Sequence, residues 1–264
     1  MAHTPSRFSG AAGGVSLYPV RWPRTAAVVV LVLLTGASVD GQPLTFRNPR
    51  DLLVGGPAAF IQLLQTARPG PASTDDMVRA LRALPSQGEI TKLGAAAQQK
   101  LDAVRQLLTA TQRDWYEIKV IDLPQAAVAL YARTVVLISA PALALVNAAE
   151  LQALTAHEIG HEYLWTDWVD AHERADQERL KKLELVCDAI AAVTLRQLGL
   201  DSSTLIDGVE KIDRFNRQRF GAARNEENYP TLAERRAFAG EITQWLSTRQ
   251  AKVALGFTEL PVRR

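Results

Sequence analysis

The chain has 264 residues, 47% hydrophobic and 22% charged, a balance that suits one folded unit behind a processed N-terminus and excludes disordered and collagen-like classes. Its formal charge of +2 is unevenly split: Arg7, Arg21 and Arg24 stand in the first 39 residues without an acid, and the remainder carries 27 basic against 28 acidic residues. A near-neutral body with scattered cations gives no phosphate-tracking stripe, so no nucleic-acid partner is expected. The single cysteine, Cys187, excludes an intrachain disulfide and a multi-cysteine zinc site.

At the N-terminus, Arg21-Trp22-Pro23-Arg24 precedes an apolar run from Thr25 to Leu34 and the small residues Thr35-Gly36-Ala37-Ser38. These are the parts of a secretory signal peptide, in a run shorter than the ~20 apolar residues of a bilayer span. Residues 1–39 are expected to be a signal peptide or an N-terminal anchor, with residues 25–39 as the membrane tether in the second case. The body is then exported, either periplasmic or secreted, or held at a membrane outside the cytoplasm.

Residues 40–114 form a helical N-terminal segment that belongs with residues 115–264 in one globular unit. Thr74-Asp75-Asp76 is placed to cap a helix reaching Leu84, and Leu93, Leu101, Val104 and Leu108 give the stripe of a helix over residues 90–112. Alternation at Tyr116, Ile118 and Val120 predicts a strand within residues 115–123. The Val/Leu/Ile-rich residues 127–139 predict one or two more, with a turn near Tyr131-Ala132-Arg133. Pro141 and Asn147 punctuate the exit.

Helical patterning resumes from residue 148 to about 165, followed by a loop holding Asp170-Ala171-His172-Glu173-Arg174 and a helix ending near Leu198. Asp201-Ser202-Ser203 introduces a helix to about Phe220, and Thr231-Leu232-Ala233-Glu234 is a capping box opening one to about Thr248. The fold class is α+β, mostly helical, with a small sheet beside the helix of residues 148–165. No repeat of solenoid period is visible.

Two of the four histidines, His157 and His161, stand four apart on that helix, so both imidazoles project from one face. The spacing suits two ligands of one Zn²⁺ per chain, with Glu158 as general base on a water bound to the metal. Gly160 lets another backbone approach this helix closely, which offsets its helix cost of about 1 kcal/mol.

Downstream, Glu184 and Asp188 lie one turn apart in the apolar stretch Leu183 to Ala191. Buried carboxylates need a partner or a metal, so Glu184 is the expected third ligand and Asp188 the acceptor for the His157 Nδ1 proton. Cys187 is close enough in sequence to approach the site, but a buried small hydrophobe is the simpler role. The position of a third metzincin histidine holds Asp167 instead.

His-Glu-x-x-His followed by Glu-x-x-x-Asp on a later helix resembles the gluzincins, and the details look like M48-family zinc metallopeptidases. The resemblance covers residues 115–238, including Tyr229-Pro230-Thr231-Leu232-Ala233-Glu234-Arg235. Family members often carry His-Pro with an Arg five residues after the Pro; Pro230 and Arg235 match, and Tyr229 replaces the His. That His is thought to support the oxyanion, a task a Tyr hydroxyl can also perform. Arg235 is expected to brace the acids near the metal.

The resemblance implies a zinc endopeptidase acting on peptide or unfolded protein, with residues 126–131 as an edge strand that pairs with extended substrate. The competing expectation is a secreted or membrane-anchored zinc-binding, chaperone-like module without proteolytic activity. The sequence does not give the oligomeric state.

Overall fold

A computed structural model describes residues 48–84, 88–221 and 226–248. The signal or anchor expected in residues 1–39 lies outside the described residues. No described helix is long and apolar enough to cross a membrane.

The elements run α1 (Asp51–Val54), α2 (Gly56–Thr66), α3 (Thr74–Ala83), α4 (Ala95–Ala110), β1 (Glu117–Ile121), β2 (Val128–Tyr131) and β3 (Val135–Ser139). They continue with α5 (Ala140–Leu145), α6 (Ala148–Tyr163), α7 (Trp165–Glu173), α8 (Gln177–Gln197), α9 (Thr204–Phe220) and α10 (Leu232–Leu246), with a 3₁₀ turn at Glu226–Asn228. The α+β class is therefore observed, mostly helical with one small mixed sheet.

In the sheet, ordered β1-β3-β2, β3 is central: it pairs in parallel with β1 and antiparallel with β2. Ala132 and Arg133 both take positive φ, 48° and 57°, and Thr134 N–H closes the turn on the Tyr131 carbonyl at 3.0 Å. Two successive left-handed residues match the right-handed twist of the flanking strands, which makes this turn work between β2 and β3.

Strand alternation separates two cores. Val128, Leu130, Val136 and Ile138 face the main core with α4, α6 and α9, while Tyr131, Val135 and Leu137 face Ala80 of α3 on the other side. β3 is therefore buried on both faces, which explains its unbroken Val-Val-Leu-Ile run. A further apolar cluster joins α2, α7, α8 and α10 through Phe60, Trp168, Leu183, Ile190 and Phe238. Helix α6 lies between the main core and α8.

Three expectations about elements are corrected. The helix expected over residues 90–112 begins only at Ala95, because Ile90 N–H donates to the Val120 carbonyl at 2.9 Å and ties that segment to β1. The exit near Pro141 is helix α5, capped by the Ser139 hydroxyl and opened by Pro141. The charged stretch 170–174 is no loop through Glu173: Asp170, His172 and Glu173 lie on the exposed face of α7, whose inner face buries Trp168 and Ala171.

β2 is the sheet's edge toward α6, and some backbone groups on that edge and just before it are engaged. The Asn216 side chain on α9 bridges Ala126, accepting from its N–H and donating to its carbonyl, both at 2.9 Å. The Leu130 N–H donates to Glu158 Oε2 at 2.9 Å. All four β2 residues are buried.

Candidate metal centre

Helix α6 starts at a full capping box. Asn147 accepts from Glu150 N–H, and Glu150 accepts in return from Asn147 N–H. This fixes the start of a helix whose third and fourth turns carry His157, Glu158 and His161, all buried. Nitrogen or oxygen donors from these three residues lie within 4.8 Å of one another, a group that can hold a metal ion.

Helix α8 supplies the opposite wall. Glu184 presents Oε2 at 3.2 Å from His157 Nε2 and Oε1 at 3.5 Å from His161 Nε2. Asp188, one turn on, meets His157 Nδ1 through Oδ1 at 2.8 Å. With Nδ1 turned to the Asp188 carboxylate, Nε2 of His157 is the ring atom that faces Glu184. Neither acid pairs with the neighbouring lysines: Lys181 contacts Glu178 instead.

The close approach of α6 and α8 depends on Gly160. A Cβ there would lie 2.8 Å from Cys187 Cα and 2.9 Å from its Cβ, closer than packed carbon atoms tolerate. Cys187 is fully buried at this crossing, its thiol pushed well above the usual range by burial. It serves as a small side chain between two helices.

Arg235, from the first turn of α10, completes the polar cluster. Its Nη1 donates to Asp188 Oδ1 at 2.6 Å and its Nη2 to Glu184 Oε2 at 2.8 Å. The Thr231/Glu234 capping box, which orients that turn, is present as expected. Arg235 occupies one oxygen of Glu184 and leaves Oε1 toward His161.

The electrostatics follow from burial and these pairings. Burial opposes charge on His157, but Asp188 and Glu184 outweigh it and raise the imidazole to about 10. The carboxylates that attract a proton there attract a divalent cation equally. Burial lowers His161 to about 4, with the Glu184 charge opposing it and the His157 and Arg235 charges adding to it, so the ring is neutral. Burial raises Glu184, yet His161, His157 and Arg235 together hold it well below the carboxylate range. Glu158, desolvated and near Glu184, is pushed up to about 7 despite the Leu130 amide.

The donor set fits a zinc ion by its chemistry: two neutral-capable imidazoles and one carboxylate, with His161 Nε2 buried and without a hydrogen-bond partner among the described residues. His161 Nδ1 is also buried and without a partner, so the orientation given to His157 by Asp188 is not repeated. Tyr229 is partly buried, and burial together with the Glu184 and Glu158 charges raises its phenol. His172 is exposed and stacked on Trp168 at 5.0 Å, while Asp167 pairs with Arg179 at 2.7 Å.

No protein-family model matches this chain, and comparison with curated proteins and with solved structures gives no match.

Sequence reasoning missed one buried polar group beside the motif. Glu162 accepts from Arg113 Nε at 2.8 Å, and Arg133 Nη2 lies 4.0 Å from its other oxygen. An acid directly after the second motif histidine, in a helix apolar on several sides, is the signal that could have revealed it. Its partners come from loops 49 and 29 residues away, and nothing local announces them.

Proposed function

We propose that this protein is a zinc-dependent endopeptidase in which His157, His161 and Glu184 hold one Zn²⁺ and Glu158 acts as general base. The single observation carrying the reading is that Glu184 of α8 faces the Nε2 atoms of both motif histidines while Arg235 and Asp188 hold the assembly from behind. Side chains scattered from residue 157 to residue 235 converge on one point. A zinc ion held there supplies a Lewis acid that polarises a carbonyl and acidifies water.

Glu158 is positioned for proton transfer by its own backbone contact. Leu130 N–H fixes Oε2, and Oε1 makes no hydrogen bond among the described residues. A raised carboxyl group accepts a proton from the attacking water and returns it to the leaving amine with little energetic mismatch. Tyr229 is the proposed donor to the developing oxyanion. The proposed substrate is an extended peptide or unfolded protein lying against the β2 edge, and the resemblance to M48 gluzincins supports that choice.

Burial favours a second reading. His157, Glu158, His161 and Glu184 expose 7%, 4%, 2% and 3% of their surface, which admits water but not a polypeptide. Proteolysis therefore requires the cover to open, and a zinc-holding, chaperone-like module does not. His₂Glu coordination leaves a position for water, which closed structural sites lack, and that favours catalysis.

The deciding experiment pairs zinc quantification with casein hydrolysis, with and without a chelator, on wild type and Glu158→Gln. The expected result is about one zinc per chain in both proteins and hydrolysis only in wild type. Undiminished turnover in Glu158→Gln removes the mechanism. Zinc without hydrolysis in wild type selects the second reading.

A further inference from the structure

Behind α6, where α2, α4 and α8 also meet, lies a cavity of about 150 Å³. Its wall residues Ile159 and Tyr163 stand two positions after His157 and His161, about 200° around the helix, so the cavity is on the face away from the metal centre. The lining is divided. Ile61, Leu64, Ile159 and Leu198 are apolar, Arg68 and Arg113 bring two guanidiniums, and no carboxylate is among the described lining residues.

Arg113 is only 2% exposed. It donates through Nε to Glu162 at 2.8 Å and through Nη1 to the Thr111 carbonyl at 2.9 Å, whereas Nη2 is buried without a partner among the described residues. Arg68 donates through Nη1 to Gln112, and its Nε is likewise buried and without a partner among the described residues. Two residues that line one cavity thus each carry a guanidinium N–H without a partner among the described residues. Buried donors without acceptors are costly, so an acceptor is expected there.

Charge leads to the same conclusion. Glu162 serves Arg113 at 2.8 Å and Arg133 at 4.0 Å, so one buried carboxylate faces two buried guanidiniums, and one positive charge has no carboxylate of its own among the described residues. A buried charge without a counter-charge is unfavourable, and an anion in the cavity removes the imbalance.

We propose that this cavity binds a small carboxylate. Its oxygens accept from Arg113 Nη2 and Arg68 Nε, and its short apolar body lies against Ile61, Leu64 and Ile159. Space is sufficient, since an apolar cavity of about 150 Å³ accommodates benzene. Two donors suit the two oxygens of a carboxylate. The further oxygens of a phosphate would meet only uncharged amides and hydroxyls of Gln65, Thr194 and Gln197, with no third cation among the described lining residues.

The test is calorimetric titration of the full chain with benzoate, butyrate, benzamide and inorganic phosphate at constant ionic strength. Benzoate or butyrate is expected to bind saturably at one site, with benzamide and phosphate weaker by about tenfold or more. Arg68→Gln, at the half-buried mouth of the cavity, is expected to weaken carboxylate binding about tenfold while leaving the circular dichroism spectrum unchanged. Arg113→Lys, which removes the Nη2 donor but keeps a cation for Glu162, should do the same; if it does not fold, Arg68→Gln carries the test alone. Absence of saturable carboxylate binding, equal affinity for benzamide, tighter binding of phosphate, or unchanged affinity in Arg68→Gln each overturns the proposal.

Discussion

Asp188 does two things with one oxygen: Oδ1 accepts from His157 Nδ1 at 2.8 Å and from Arg235 Nη1 at 2.6 Å. Removing its charge while keeping its shape separates orientation from packing. Asp188→Asn is expected to lower zinc affinity about 10- to 100-fold, read by competition with a chromophoric chelator. Unchanged affinity would show that the His157 tautomer is held by something else. Arg235 illustrates the same economy, because its one guanidinium pairs with both acids from one helix turn. The sequence suggests each of these residues for a different reason: histidines by spacing, acids by their apolar surroundings, and Arg235 by its distance from Pro230. Their mutual distances are not legible there. A buried charge states that a partner exists, and only the fold says which one.

Among the elements, the crossing of α6 and α8 is the constraint that the site depends on. Ala is a better helix former than Gly by about 1 kcal/mol, yet Gly160→Ala places a methyl 2.8 Å from Cys187 Cα. Overpacking should win, with a net destabilisation of about 1–3 kcal/mol in chemical denaturation. Cys187→Ala is expected not to rescue it, since the clash with the α8 backbone remains. A rescued double variant would mean that the thiol, not the backbone, limits the approach. Close packing at Gly160 is legible in the sequence because a glycine inside a strongly patterned helix needs a compensating contact.

The α10 start gives a second element-scale prediction. Hydrogen bonds from the Thr231 N–H and hydroxyl hold the Glu234 carboxyl below its ordinary value of 4.5. A depressed carboxyl contributes stability that is present above the unfolded value and lost as pH falls through the folded one. Thr231→Ala should therefore cost about 1 kcal/mol near neutrality and progressively less below about pH 4.5, measured by urea denaturation across pH. A cost independent of pH would show that the Thr231 hydroxyl does not hold the Glu234 carboxylate. Elements whose boundaries rest on local chemistry, such as this capping box and the Ala132/Arg133 turn, are legible in the sequence. Those decided by remote pairing, such as the late start of α4, are not.

For the whole molecule, a cation bridging α6 and α8 links two helices that otherwise present buried acids and imidazoles to each other. A ligand present at about 100 times its dissociation constant stabilises by about 2.7 kcal/mol. Zinc removal by chelation is therefore expected to lower the thermal midpoint by roughly 5–10 °C, reversibly on adding zinc. A midpoint indifferent to chelator and to added zinc would remove the metal from any proposed function of this chain.

Helical and strand periodicities, helix caps and the residues carrying the chemistry are all set in the amino-acid order alone, because they follow from spacing within a few positions. The His157-Glu158-Ile159-Gly160-His161 segment needs only the pitch of a helix to put both imidazoles on one face. Tertiary structure decides which oxygen of Glu184 meets Arg235, that Asn216 and Glu158 engage the β2 edge, and that Glu162 lies between two guanidiniums. Those contacts join residues far apart in the chain, and the energy that selects them belongs to packed helices, not to any local segment. The near-complete burial of the metal centre is also a tertiary property, and it turns access to the site into the central functional question.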